Sequence, residues 1–377
     1  MKKVTICILA LLSFTLTFGQ VANNIIPMEP DRWDFDPESV EFITHRSVSA
    51  ARGLNGGAQL FLKDFTFENG TIEFDAELSE NGFVGINFRM SEDRSLAENF
   101  YLRAFWPINP LSRTTLQYAT VVDSMSLWDL TDDYQAPATL YQDRWNHVKL
   151  VVNGRQMMVY VNDLETPALH VPILEGATES GSISFGGNAI FANLIVRPDV
   201  TEGLPAMAGY DPTAHDSYYL RDWLVTQPVD FPFGRDINVL APGIPDSTTQ
   251  WTPLPAEHRA LVNLSRAFGM TMSPQGDRRL AWLKTTVSSE VDQRRRLDLG
   301  FSDEVWVFIN GQLLHTDKNY FGTPSMKEPR GRCTLANTSF DLPLQEGENE
   351  ILIGLANSFF GWGIIARLDN IVGLTAK

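Results

Sequence analysis

The segment Glu73-Phe-Asp-Ala-Glu77 places three carboxylates at every second position. Successive residues of an extended chain point to opposite sides. Glu73, Asp75 and Glu77 therefore share one face of a strand, while Ile72, Phe74, Ala76 and Leu78 share the other. Residues two apart on a strand lie about 6–7 Å apart at Cα, compatible with the ~5 Å that a retaining glycoside hydrolase needs between its two carboxyl groups. The bland alternative is a polar outer face on a half-buried strand, because so short a motif arises easily.

A second constellation mixes charge types. The next strand segments carry Asn87 with Arg89, Tyr101 with Arg103, and Gln117 on their non-core faces. If these strands are neighbours of the carboxylate strand, Glu73, Asp75, Asn87, Arg89, Tyr101, Arg103 and Gln117 form one surface. Such a surface offers the paired donors and acceptors that sugar hydroxyls require. Tyr101, or Trp128 from a loop, would stack on the face of a sugar ring. The alternative is that Arg89 and Arg103 merely neutralise Glu73 and Asp75 across the sheet.

Other chemistry finds little in the sequence. The six histidines, at 45, 147, 170, 215, 258 and 315, lack metal-ligand spacing. Asp- and Asn-bearing loops could hold a structural Ca²⁺, although no EF-hand loop is present. No other cofactor is expected, and no Gly-x-Ser-x-Gly, phosphate loop or dinucleotide fingerprint occurs. Cys333 is expected to be buried and inert, since a nucleophile would need a histidine partner. Asn69, Asn263 and Asn337 begin Asn-x-Ser/Thr triplets, which matter only in a glycosylating host.

The elements that must position these groups read as many short strands. Phe83 to Met90 follows Asn81-Gly82, which predicts a hairpin after the carboxylate strand. Further strands are expected near Phe100–Trp106 and Leu116–Val122. Trp145 to Asn162 reads as a hairpin around Asn153-Gly154. Gly181–Phe185 and Ala189–Val196 close the first unit, residues 22–200. Pro and Gly density marks 201–216 as a linker. In 217–377, Leu297–Leu314 turns at Asn310-Gly311, Thr338–Leu342 and Asn349–Ala356 form a second pair, and Gly363–Leu368 is the final strand. Short helices are expected within 213–224 and Pro255–Ser265. The alternation predicts an all-β protein of two tandem β-sandwich, jelly-roll-like domains. Of the loop residues in the second unit, Asp317 to Phe321 are candidate ligand readers, whereas Phe359, Phe360 and Trp362 read as plugs closing a sandwich end.

Two resemblances add to this reading. Gly70-Thr-Ile-Glu-Phe-Asp75, Gly82-Phe-Val-Gly-Ile-Asn-Phe-Arg89, Asn99-Phe-Tyr-Leu-Arg103, Leu116-Gln-Tyr118 and Trp145-Asn-His-Val-Lys-Leu150 with Val159-Tyr-Val161 resemble the concanavalin A-like lectin/glucanase superfamily. The branch is the one related to laminin-G-like and 3-keto-disaccharide hydrolase domains. Laminarinase-like members carry Glu-x-Asp-x-Glu on one strand of a concave sheet, which Glu73, Asp75 and Glu77 match; in the enzymes that motif sits in mid-chain rather than in an early strand. The second unit is similar to galactose-binding-like jelly rolls, through Tyr219–Val225, Trp282-Leu-Lys-Thr, Asp303–Gly311, Gly347–Ile353 and Gly361-Trp-Gly with Arg367-Leu368.

Composition frames the function. Residues 1–20 read as a secretory signal peptide, with Lys2 and Lys3 before the apolar run Val4–Phe18, too short for a membrane span. Without those two lysines, 28 basic residues stand against 46 acidic ones, a net charge of −18. Nucleic acid and anionic membranes are therefore unexpected partners. The expectation is a secreted carbohydrate-binding protein serving polysaccharide recognition or degradation. The alternatives are a glycoside hydrolase using Glu73, Asp75 or Glu77, and a structural or adhesive surface protein.

Overall fold

The structure is a computed structural model, and it describes residues 24–376 except 55–56, 235, 238–242 and 273–276. The leader expectation at 1–20 lies outside the described residues. The rest folds as two antiparallel β-sandwiches in series.

In the first sandwich, one sheet runs in the order Leu169–Val171, Gln156–Val161, Trp145–Asn153, Gly70–Glu77, Ile190–Pro198, Val48–Gly53 and Val40–His45. The facing sheet runs Met125–Ser126, Leu116–Val122, Ala97–Ala104, Gly82–Met90, Ser182–Gly186, Gln59–Leu62 and Trp33–Phe35. Period-two alternation explains the core between them. Ile72, Phe74 and Ala76 point inward from one sheet, and Val84, Ile86, Phe88, Phe100, Leu102 and Tyr118 from the other. Phe185 and Phe191 stack across the gap at 4.7 Å between centroids. Each such buried ring contributes about 1.5–3 kcal/mol.

The Trp145–Asn162 hairpin forms as expected, with Asn153 paired to Gln156. Asn81-Gly82 does not form one. The strand Gly70–Glu77 pairs with Trp145–Asn153 and Ile190–Pro198, whereas Gly82–Met90 pairs with Ala97–Ala104 and Ser182–Gly186. Neither Asn81 nor Gly82 takes the positive φ that a tight hairpin turn demands. Residues 78–81 instead carry the chain across the sandwich from one sheet to the other.

The second sandwich has its own core of Leu299, Phe301, Val305, Val307, Ile353, Leu355, Trp362 and Ile364. Its larger sheet centres on Asp277–Ser289, Gly347–Asn357, Glu304–Ile309 and Gln312–Lys318. Its smaller sheet contains Val262–Asn263, Gly363–Leu368, Gln293–Ser302 and Thr338–Leu344. Asn310-Gly311 turns as expected, with φ of 48° and 78°. Thr338–Leu344 and Gly347–Asn357 are not a pair; they belong to opposite sheets. Residues 213–224 hold turns rather than a helix, while Leu264–Phe268 is helical behind an Asn263 cap.

The two sandwiches meet through the loop 123–134. Leu127 and Leu130 of that loop, with Val122, pack against Ala260, Leu261, Cys333 and Ile365. Polar groups tie the same seam: Cys333 N–H donates to the Asp129 carbonyl (2.9 Å), Gly361 N–H to the Asp129 carboxylate (3.2 Å), and Arg259 pairs with Asp133 at 2.6 Å. Cys333 is buried as expected, and burial pushes its thiol well up. No helix among the described residues is long and apolar enough to cross a membrane.

Candidate functional site

Because the chain crosses between sheets after Leu78, the carboxylate strand and the strands bearing Asn87, Tyr101 and Arg103 face opposite directions. Their outer faces are separated by the whole sandwich, whose two sheets alone lie about 10 Å apart. The expected single surface therefore does not form. This corrects the grouping of Glu73 and Asp75 with the other candidate ligand residues.

On their own face, the three carboxylates are held by neighbours. Glu73 pairs with Arg197, and His147 Nε2 approaches it at 3.4 Å. Asp75 accepts from Asn193 (2.7 Å) and hydrogen-bonds His147 Nδ1 (2.7 Å). That hydrogen bond, against the opposing effect of burial, raises the imidazole pKa. Glu77 is 5% exposed and pairs with Arg46 (2.6 Å) and His45 (3.1 Å). Burial pushes the Glu77 carboxyl up, but those two partners outweigh it and hold it below the usual range. A general acid needs the reverse, a carboxyl held above that range.

Arg89 also leaves the expected face. The pairing with Ser182–Gly186 is irregular there, and Arg89 has φ of 51°. The left-handed residue breaks the alternation and turns the side chain sideways. Its guanidinium donates to the Glu68 carbonyl (2.8 Å) and the Asn69 amide oxygen (3.1 Å), and it is 3% exposed.

The remaining candidates converge. Asn87, Tyr101, Arg103 and Trp128 line one cleft of about 760 Å³, within the range of small-molecule sites. Its floor is the outer face of the second sheet of the first sandwich. Gly186, Gly85, Tyr101 and Gln117 stand in one cross-strand row, with Ser184, Asn87 and Asn99 in the next. A Cβ at Gly85 would meet the Phe100 carbonyl at 2.5 Å and Tyr101 Cβ at 2.7 Å, so the neighbouring strand comes this close only because residue 85 is glycine. The amides are ordered: Asn99 donates to Asn87 (2.8 Å), and Asn87 to the Ser184 hydroxyl (3.0 Å).

Aromatic rings wall the cleft on two sides. Phe83 stands 5.7 Å from Tyr101 and 5.2 Å from Phe105, edge to face in both cases. Opposite them, Trp128 meets Phe321 at 5.1 Å and Phe360 at 5.8 Å, and Phe321 stacks on Phe359 at 5.7 Å. Phe321, Phe359 and Phe360 come from the second sandwich, so the cleft is built between the two units. Buried Asp303 fixes that wall by accepting from Ser358 N–H (2.7 Å) and Phe359 N–H (3.0 Å); burial pushes its carboxyl up to about 6. Of the expected plugs, Trp362 is fully buried in the core, but Phe359 and Phe360 are half-buried at the cleft.

The cleft is cationic at one end. Arg103 donates to the Thr114 carbonyl (2.8 Å), the Tyr101 hydroxyl (3.1 Å) and Gln117 Oε1 (2.7 Å). Arg332, 1% exposed, donates to the same Gln117 oxygen at 3.0 Å and lies 5.0 Å from the Trp128 ring. Gln117 is fully buried behind the cleft, where it also donates to the Trp128 carbonyl (2.7 Å). It is a positioning residue rather than a lining one. Sharing one oxygen puts the two cationic nitrogens at most about 6 Å apart, where like charges repel by about 1–3 kcal/mol. Burial pulls the Arg332 pKa down to about 10, with Arg103 adding to the effect, and burial lowers Arg103 as well. The Tyr101 hydroxyl is pushed up to about 12 by burial and stays neutral. Arg330 completes the cationic end.

Sequence reasoning missed Phe83, Phe105, Arg330 and Arg332. Phe83 had a signal: a large apolar residue on the polar face of an alternating strand, two positions from a mid-strand glycine. Arg330 and Arg332 had none, since their place is set by the second sandwich. Among the described residues, no group of three or more His, Cys, Asp or Glu side chains is placed to hold a metal ion.

No protein-family model matches the chain, and no curated protein matches it. Among solved structures, the chain is similar to the carbohydrate binding module CBM66 from Bacillus subtilis, with 11% identity and a TM-score of 0.34, over 43% of this chain and 93% of that one. A β-glucanase from Bacillus licheniformis matches at 10% identity and a TM-score of 0.32, over 44% of this chain and 92% of that one. The Caenorhabditis elegans galectin LEC-6 matches at 8% identity and a TM-score of 0.29, over 43% of this chain and 98% of that one. These likenesses concern β-sandwich architecture, and at such TM-scores they say nothing about ligand or activity.

Proposed function

We propose that this chain is an exported carbohydrate-binding protein that takes a saccharide into the cleft between its two sandwiches. The observation that carries this reading is the pair of aromatic walls, Phe83 with Tyr101 and Trp128 with Phe321, facing across ordered amides of Asn87 and Asn99. Sugar rings have apolar C–H faces that stack on aromatic rings and equatorial hydroxyls that need fixed donors and acceptors. A catalytic role for Glu73, Asp75 or Glu77 gains no support, since each is neutralised by a cation or imidazole on the opposite face. The test is a glycan array on the mature chain beside the Trp128→Ala variant. Binding that the variant loses supports the reading; glycan silence with tight capture of a protein ligand favours an adhesive role instead.

A further inference from the structure

Resting on that saccharide-cleft reading, we infer that the ligand is an acidic saccharide, whose carboxylate or sulfate is taken between Arg103, Arg330 and Arg332. Three arginines converge on one end of the cleft, and no Asp or Glu is among the described residues that line it. The chain as a whole is acidic, with net charge −16, so this cationic end runs against the composition of the rest. A neutral sugar does not need such a concentration of charge; it is served by amides and hydroxyls, which the other end of the cleft already supplies.

The three guanidiniums are also poorly neutralised. All three hydrogen-bond acceptors of Arg103 are uncharged: a carbonyl, a phenol and an amide oxygen. Arg332 is 99% buried, its Nε has no hydrogen-bond partner, and its ion pair with Asp132, which Arg113 also engages, is long at 3.7 Å. Arg330 is exposed at the rim and makes no ion pair among the described residues. Gln117 holds Arg103 and Arg332 side by side through one oxygen, against their mutual repulsion. An anion between them would relieve that repulsion and gain charge-assisted hydrogen bonds from groups already fixed in place. The adjacent Trp128 and Tyr101 rings would receive the ring that carries the acid group.

The experiment titrates the full chain with three oligosaccharides of equal length: one of uronic acid units, one sulfated, one neutral. The expected result is that a charged oligomer binds at least about tenfold tighter than the neutral one, the better of the two charged probes identifying the acid group. Its affinity should also fall several-fold between about 50 and about 500 mM NaCl. Arg330→Gln, at an exposed and unpaired position, should weaken the charged ligand about five- to tenfold, cost the neutral one far less, and melt like the parent. Arg332→Lys keeps the charge but loses the planar fork, and should weaken the charged ligand further. Equal binding of neutral and charged oligomers, lost in Trp128→Ala but indifferent to Arg330→Gln, would overturn the acid preference and leave the saccharide cleft standing. Binding of any oligomer that survives Trp128→Ala, or silence of all three, would overturn both.

Discussion

Replacing Phe83 by alanine tests ligand contact at an aromatic wall that is half exposed and half packed. Phe83 is 54% exposed, so roughly half of its surface is available to a ligand and half already touches Tyr101, Phe105 and Arg103. A saccharide covering the free half removes about 100 Å² of apolar surface from water, worth about 2.5 kcal/mol at 25 cal/mol per Å². Affinity should therefore fall by about 10- to 60-fold, the lower figure allowing for incomplete coverage. The folding cost is of similar or smaller size, because the neighbours can close over the gap, and at about 2–4 °C per kcal/mol it should lower the melting temperature by no more than about 10 °C. Isothermal titration with the best array ligand reads the first quantity and a thermal melt the second. Glu73→Gln, on the opposite sheet, serves as the control and should bind like the parent. A Phe83→Ala protein that binds within twofold of the parent, or a Glu73→Gln protein that does not bind, would refute the placement of the ligand.

Further outcomes follow from the same geometry. Gly85→Val should abolish binding and destabilise the first sandwich by about 1–3 kcal/mol, since its Cβ would collide with Phe100 and Tyr101; unchanged binding and melting would contradict the floor as described. Glu98 is fully buried and accepts from the Tyr118 hydroxyl (2.6 Å), and burial pushes its carboxyl up to about 7 from an ordinary 4.5. Below pH 4.5 both folded and unfolded forms carry the proton; between 4.5 and 7 only the folded form does, so stability falls as pH rises through that window. The loss approaches about 3 kcal/mol and is complete above pH 7. Urea unfolding at pH 5 and pH 8 should show this decline, and Glu98→Gln should flatten it without erasing it, because Asp303 and Asp129 are raised too. An identical slope in the variant would show that Glu98 is not its source.

Much of the strand pattern is legible in the sequence because alternation is a local signal. Leu116–Val122 and Gly363–Leu368 form at the expected bounds. What alternation cannot say is which sheet a strand joins. Asn81-Gly82 has the composition of a hairpin turn, yet the chain crosses the sandwich there, and that one crossing moves Glu73, Asp75 and Glu77 away from Tyr101 and Arg103. Arg89 leaves the face that alternation predicts for a different local reason, its own left-handed backbone at an irregular pairing. Asn87, Tyr101, Arg103 and Trp128 were found because ordinary strand geometry and one loop present them. The other half of the cleft, from Phe321 to Phe360, lies some two hundred residues further along the chain than the sheet it faces. Only the docking of the two sandwiches through Asp129 and its loop brings it into place, and no spacing in the sequence encodes that.

The most direct measurement is a crystal structure of the full chain with its best-binding oligosaccharide. The expected result is a sugar ring between Phe83–Tyr101 and Trp128–Phe321, with its acidic group against Arg330 and Arg332. A ligand on the face of Glu73 and His147, or on the second sandwich alone, would contradict it.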